Sequence, residues 1–207
     1  MATTIHGLFA VGDVCGNGSA RGGAALTPPH KIHGTGLLNA LFTGLRGGAA
    51  AAVYASALKA INFEPEIDYS QVKEFKDEVF APFQRRTGIS PREIINKIQD
   101  AIVPVDYSII KSKERMEEAL NQVLSVKEEI ERIKAEDFHD LAKCMDAESM
   151  ALCAELFYRV SLMRAETRGF HIREDYSEMD SKNWLKWIII KKRRRKNETI
   201  RRKRPNT

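Results

Sequence analysis

Gly12 and Asp13 follow a short apolar run, and their residue types suit the binding of a polyhydroxylated ligand. The run, residues 8–11, has the length and composition of a buried strand. In open α/β folds, ligands lie beyond the carboxyl ends of the strands. A carboxylate at that place accepts hydrogen bonds from ribose or ribityl hydroxyls, and a preceding glycine leaves room for the ligand. This pair is therefore a candidate binding site.

A dense run of mixed charge near the carboxyl-terminal end forms a second candidate site. Within it, Gly169 predicts a reversal of the chain just after a helix end. Such residues serve either as anion ligands and proton relays or as a salt-bridged clamp. The clamp is favoured, because networks of this kind specify geometry rather than perform chemistry. The cluster comprises Arg164, Glu166, Arg168, His171, Arg173 and Asp175.

A helix built from small residues is predicted to begin near residues 35–37 and to run to about Leu58. Its first N–H groups lack partners within the helix, so its positive end favours an electron-rich group, such as a flavin ring that becomes anionic on reduction. Residues 44–52 leave one face nearly flat, suited to close packing on a sheet. From the residues alone, a flavin half-site and a Gly/Ala helix packed on any sheet are both open.

The sequence after a linker at residues 62–68 predicts three or four antiparallel helices that form a bundle. One begins at Ser90, with Pro91 in its first position and an acid three residues after the cap, and ends before Pro104. The others are predicted at residues 69–82, 112–134 and 137–165. The inner face of the last helix is predicted to contain Leu141, Cys144, Met145, Leu152, Leu156, Val160 and Met163.

Two separated motifs resemble the flavoprotein family of fumarate reductase and succinate dehydrogenase. The first is GLFAVGDV followed, after a spacer, by HKIHGTGLLNALFTGLRGG; the second is RAETRGFHIREDY followed by NWLK. The resemblance covers roughly residues 7–190, with the motifs in the family's order. It implies FAD as cofactor, contacted by Gly12 and Asp13 and by the backbone N–H groups of Gly36 and Leu37.

The segment at residues 30–36 departs from the family pattern. Lys31 occupies the place of an arginine that grips a substrate carboxylate in the family, and lysine cannot make that planar two-point contact. Pro29-His30-Lys31 is similar instead to the α subunit of adenylylsulfate reductase. This similarity implies that His30 and Lys31 face a small anionic substrate next to the flavin. The alternative is that His30 and His33 are loop histidines ahead of the helix.

The chain contains no G-x-G-x-x-G between a strand and a helix. In the family, this fingerprint, the capping domain and the proton-donating arginine lie upstream of the matched part, so no catalytic residue can be named. We therefore expect a fragment of a split or truncated oxidoreductase that exchanges electrons between FAD and a small anion. Its implied partners are the missing N-terminal half, in the same or a separate chain, and an iron–sulfur subunit.

The predicted fold class is α-dominated α+β: a strand–loop–helix remnant of an FAD-binding α/β domain, followed by a three- to four-helix bundle. The corresponding domains are residues 1–61 for the remnant, 62–165 for the bundle, 166–190 for the charged clamp and final segment, and 191–207 for a disordered basic tail. A non-catalytic helical interaction module, with a vestigial first part, is an alternative from another class.

The last 17 residues carry ten Lys or Arg and one acid, a net charge of +9, so residues 1–190 carry −4. The alternatives for this tail are a frameshifted end and a polyanion-binding arm. A nucleic-acid partner is not expected, because no aromatic residue follows Trp187 and no nucleic-acid fold precedes the tail. The three cysteines show no metal spacing, and no apolar run is long enough to span a membrane. These features predict a cytoplasmic protein, able to reach the inner face of a membrane through a partner complex.

Overall fold

Helices dominate the fold. A computed structural model describes residues 1–15, 36–64 and 66–190, together with the backbone of Arg201–Lys203. The predicted α-dominated class is confirmed. The helices of the described part are α1 (Gly36–Ala60), α2 (Tyr69–Gln84), α3 (Pro91–Ile102), α4 (Val105–Ser108), α5 (Lys113–Ile130), α6 (Phe138–Met163) and α7 (Ser181–Trp184). None of these helices combines the length and the apolar composition needed to cross a membrane.

The strands of the described residues are short and form two pairs. In the first, β1 (Ile110–Lys111) runs parallel to β2 (Ile172–Arg173), with Lys111 opposite Arg173. In the second, β3 (Trp187–Ile189) runs antiparallel to β4 (Arg201–Lys203). Apart from the backbone of β4, residues 191–207 lie outside the described part. The disordered tail predicted for these residues therefore stays a prediction.

The chain forms two compact units. Among the described residues, the first unit ends at Lys73 and the second begins at Glu74, within α2. Side-chain caps fix where the helices of the second unit begin. Ser90 Oγ accepts a hydrogen bond of 3.2 Å from the Glu93 N–H, as its sequence predicted, and Asp137 Oδ1 caps α6 in the same way.

The core of the second unit lies between α3, α5 and α6, and it differs from the predicted one. Met145 and Leu152, predicted to point inward, are each 47% exposed. Leu141 and Cys144 are buried as predicted, but alanines at helical spacing fill the rest of the inner face of α6, around the fully buried Tyr158. The prediction was wrong at Met145 and Leu152 because small side chains let helices approach closely, whereas it was based on large apolar ones. The alanines of this face are Ala147, Ala151 and Ala154.

The apolar run at residues 8–11 does not form the predicted buried strand. A single antiparallel bridge joins Phe9 to Ala2, and Leu8 and Val11 remain about half exposed. The physical reason is that one strand cannot satisfy its own backbone, and its extended neighbour in the described part is the short segment at the start of the chain.

Two loops of the second unit pair through their backbones. The Ile89 N–H donates to the Arg132 carbonyl at 3.0 Å, and the Lys134 N–H donates to the Ile89 carbonyl at 2.9 Å. Gly88 lies against this pairing: a Cβ there would be 2.5 Å from the Arg132 carbonyl oxygen. A side chain at this position would therefore collide with backbone rather than with a movable side chain.

We expect Gly88→Ala to lower the free energy of unfolding by ~1–3 kcal/mol, because the added methyl group forces the paired loops apart. Chemical denaturation followed by circular dichroism measures this change. Ser149→Ala, on the exposed face of α6, serves as the matched control and should change stability by less than ~0.5 kcal/mol. Equal stability of the Gly88→Ala variant and the parent would contradict the expected collision.

Candidate functional site

Gly12 is tied through both of its backbone polar groups to the beginning of α1. Its N–H donates to Thr43 Oγ1 at 2.8 Å, and its carbonyl accepts from Asn39 Nδ2 at 3.3 Å. Thr43 Oγ1 in turn donates to the Asn39 carbonyl at 2.6 Å. Gly12 has a φ of 72°, a left-handed conformation that favours glycine. The Gly12–Asp13 turn is therefore fixed against the first two turns of this helix.

The other predicted cofactor residues lie in the same unit. Asp13 is exposed and belongs to the 3-10 turn Gly12–Cys15. Gly36 and Leu37 are the first two residues of α1, where the backbone N–H groups have no partner within the helix. The hydrogen bonds of Gly12 thus hold the adjacent Asp13 next to the first two turns of α1. The predicted substrate residues, His30 and Lys31, lie outside the described residues.

α1 presents an apolar surface to solvent. Its 25 residues include only two charged ones, Arg46 and Lys59, and Leu37 is 84% exposed. Large contiguous apolar surfaces are typical of interaction sites. Four other apolar residues of this helix are each at least two-thirds exposed: Leu38, Leu41, Leu45 and Val53.

The second candidate site is a buried ion-pair network around Glu166. The carboxylate accepts hydrogen bonds from Arg164 Nη1 at 2.6 Å and from Arg168 Nε at 2.9 Å, through the same oxygen. Its other oxygen accepts from Arg168 Nη2 and from the Asp180 N–H, both at 2.9 Å. Burial disfavours the charged carboxylate, but these hydrogen bonds outweigh burial and hold the pKa of Glu166 below its usual value.

Arg164 connects the carboxyl end of α6 to the last part of the chain. Its guanidinium donates to the carbonyls of Trp184, at 3.0 Å, and Lys186, at 2.9 Å. The same guanidinium lies over the Trp184 ring, 5.5 Å from its centroid. One buried cation therefore holds the segment around α7 in place.

Arg173 makes a second connection, in the opposite direction. Its guanidinium pairs with Asp175 at 2.7 and 2.5 Å and donates to the carbonyls of Ser161 and Arg164. These bonds join β2 to the last turn of α6. The hydrogen bonds from Arg173 are also the main reason that the pKa of Asp175 is lowered.

His171 and Lys111 are buried beside these arginines, and neither forms an ion pair with a carboxylate of the described residues. The pKa of His171 is lowered to about 4, mainly by burial; the hydrogen bond to the Arg164 carbonyl raises this pKa, and the nearby cations lower it. Burial, with a smaller effect from Arg173, lowers the pKa of Lys111 to about 8. Lys111 donates to the carbonyls of Ser108 and Ile109.

The structure thus brings all six residues of the charged cluster into one region. Arg164, Glu166, His171 and Arg173 are almost completely buried, so they do not meet solvent in the described chain. Their burial favours the clamp interpretation, which stays a prediction. Within the described ranges, no three His, Cys, Asp or Glu residues lie close enough to hold a metal ion.

Several residues that contribute to the two sites were not predicted from the sequence. Thr43 and Asn39 could have been identified from the sequence, because these polar residues lie four positions apart on the helix that follows Gly12. Trp184 lies in the quoted NWLK motif but received no role. Lys111 had no signal, because nothing in the sequence indicates that β1 pairs with β2 and buries an amine.

The chain is similar to known flavoproteins over most of its length. Residues 97–206 match the family model described as fumarate reductase flavoprotein C-term. An uncharacterized FAD-dependent oxidoreductase of Methanocaldococcus jannaschii is 27% identical over 191 residues, which cover 91% of this chain and 32% of that protein. A fumarate reductase (CoM/CoB) chain of Methanothermobacter marburgensis is 25% identical, with coverages of 92% and 33%. The chain therefore spans about a third of the length of these curated relatives.

The structure of adenylylsulfate reductase from Archaeoglobus fulgidus shares the fold. The TM-score is 0.67 at 23% identity, and the match covers 82% of this chain and 29% of that one. At this identity the match concerns the fold alone. It shows that this fold occurs as part of a larger chain.

We expect Glu166→Gln to destabilise the second unit by ~3–5 kcal/mol, because it leaves the buried Arg164 without a compensating charge. Glu136→Gln is the matched control: this glutamate is exposed and pairs with Lys134 on the surface, so its loss should cost ~0–1 kcal/mol. Denaturant titration of both variants measures the difference. Similar stabilities for the two variants would show that Glu166 does not hold the network together.

Proposed function

This chain belongs to the fumarate reductase flavoprotein C-terminal family, and we propose that it is the C-terminal part of an FAD-dependent oxidoreductase. The complete enzyme would exchange electrons between FAD and a small anionic substrate. Support comes from the family match and from the relatives, one of which is named as an FAD-dependent oxidoreductase. The catalytic machinery would lie in the two-thirds of the relatives that this chain does not match.

In this proposal the chain contributes one side of the FAD site. Asp13 would accept hydrogen bonds from hydroxyl groups of the cofactor, and Gly12 would let the cofactor approach. The first N–H groups of α1, at Gly36 and Leu37, would stabilise negative charge on the reduced flavin. The observation that carries this proposal is the joint between Gly12 and α1, which holds the Gly12–Asp13 turn against the first turns of the helix.

The substrate would be a small anion that His30 and Lys31 face. Two types of enzyme suit it: one that handles a dicarboxylate, and one of the adenylylsulfate reductase type, in which sulfur is reduced. Lys31 favours the second type, because a lysine cannot make the two-point contact that recognises a carboxylate.

The first partner would be the missing N-terminal part of the flavoprotein, in the same or a separate chain. The exposed leucines of α1 support this partner, since their surface is apolar and lies beside the proposed cofactor residues. An iron–sulfur subunit would be a second partner, and through such a complex a cytoplasmic protein would reach the inner face of a membrane. The domain boundaries at residues 61, 165 and 190 belong to the same proposal.

A non-catalytic helical interaction fragment is the second candidate function. It is favoured by one observation: the hydrophobic core of α3, α5 and α6 involves no described residue before α2, so the bundle has its own source of stability. Under this alternative, residues 1–61 would bind no cofactor.

FAD titration of the purified chain tests the proposal directly. We expect saturable binding, seen as a change in flavin absorbance near ~450 nm or as quenched flavin fluorescence, and Asp13→Asn should weaken it ~10- to 100-fold, as expected for a lost charged hydrogen bond. The titration is repeated with the N-terminal half, if an upstream reading frame that carries G-x-G-x-x-G encodes it.

Asp146→Asn is the matched control, because Asp146 is an exposed carboxylate on α6, in the other unit. It should leave FAD affinity unchanged. Binding that is insensitive to Asp13→Asn would contradict the proposed half-site. No binding, with or without the N-terminal half, would favour the helical interaction fragment.

A further inference from the structure

The buried position of His171 gives the second unit a feature that the proposed function does not use. The imidazole is completely buried, and its Nε2 lies 3.1 Å from the Arg164 carbonyl oxygen. Because a carbonyl only accepts hydrogen bonds, Nε2 carries the proton and donates it. Nδ1 is then the unprotonated nitrogen, and it is buried with no hydrogen-bond partner among the described residues. A second proton on this ring would therefore have no acceptor there.

The groups around His171 also oppose a positive charge on its ring. Each element packed against the imidazole presents a cation to it. The nearby carboxylates already form ion pairs, Glu166 with two arginines and Asp175 with Arg173. Protonated His171 would add one more cation to this region without a counter-charge. The cations are Lys111 on β1, Arg164 at the end of α6 and Arg173 on β2.

The segment that contains His171 lies outside the main core. Residues 165–186, called the latch, contribute nothing to the hydrophobic core between α3, α5 and α6 in the described structure. Polar bonds attach the latch to the rest of the second unit: those of Arg164 to Glu166, Trp184 and Lys186, those of Arg173 to the end of α6, the short β1–β2 pair, the bond from the Lys113 N–H to Asp175, and the ion pair of Arg115 with Glu174. Segments held mainly in this way open at lower free energy than a packed core.

We propose that the latch is acid-sensitive: protonation of His171 releases residues 165–186 from the helical bundle, while the bundle stays folded. In the closed latch the ring is kept neutral, and in the open latch it is free to bind a proton from water. Acid therefore favours the open form by mass action.

The expected size of the effect follows from the two protonation equilibria of the ring. The pKa is about 4 in the closed latch and the ordinary 6.5 in the open one. Between pH 7 and pH 4.5, the equilibrium between the two forms then shifts towards the open form by roughly 50- to 100-fold. The lowered pKa values of Glu166 and Asp175 in the closed latch add to the acid response only near and below their ordinary values of 4.5 and 3.8. Lys111, with a pKa of about 8, is charged throughout it.

Hydrogen exchange measured by mass spectrometry, corrected for the intrinsic pH dependence of exchange, tests the proposal. Reporters are N–H groups that join the latch to the rest of the second unit: that of Lys113, which donates to Asp175, and those of the β1–β2 pair. Between pH 7 and pH 4.5, we expect their protection to fall roughly 50- to 100-fold. Protection of α3, of α5 after its first turn and of the middle of α6 should stay constant.

His171→Gln removes the titrating group but keeps a donor for the Arg164 carbonyl, so its latch should lose little protection in acid. His139→Gln, at an exposed histidine in the first turn of α6, is the matched control and should behave as the parent does. Parallel loss of protection in the latch and the bundle would overturn the proposal. An unaltered acid response in His171→Gln would do the same.

A second measurement covers the case in which His171→Gln does not fold. The imidazole of His171 is titrated in the parent protein by NMR. We expect its midpoint to lie well below the ordinary histidine value of about 6.5 and to coincide with the loss of latch protection. An ordinary midpoint while the latch stays protected would refute the coupling between the proton and the opening.

Discussion

The burial of the Arg164 guanidinium is the constraint on which the position of residues 165–186 depends. A buried cation requires a carboxylate and a set of carbonyl oxygens, and Glu166, Trp184 and Lys186 supply them. Satisfying this one group fixes the end of α6, the turn at Gly169 and the position of α7. The need to pair this buried charge therefore determines the path of residues 165–186, which have little hydrophobic core of their own.

The two units obtain stability in different ways. The second unit has a core of alanines and branched apolar residues between α3, α5 and α6, with the Tyr158 hydroxyl bonded to the Ala101 carbonyl at 2.6 Å. The described part of the first unit has one long helix, a hairpin with a single bridge and a joint at Gly12. Its exposed leucines form an apolar surface. This contrast fits a chain that spans about a third of its relatives.

Much of the fold could be predicted because its signals are local. Side chains within a few residues of each helix end determine the cap at Ser90, the end of α3 before Pro104 and the length of α1. The family was recognisable because two motifs occur in order. The core of α6 could not be predicted, since Met145 and Leu152 have the spacing of an inner face, and only the approach of α3 and α5 selects the alanines.

By itself, the sequence determined the family, the helical class, the residue types at both sites and the concentration of positive charge in the last 17 residues. The tertiary structure alone decided that residues 8–11 form no buried strand, that Thr43 and Asn39 hold Gly12, and that Lys111 lies buried beside Arg173 and His171. The physical reason is one of range. Capping, helical periodicity and motif spacing act between neighbours in the chain, whereas burial of a charge and pairing of strands depend on residues that meet only after folding.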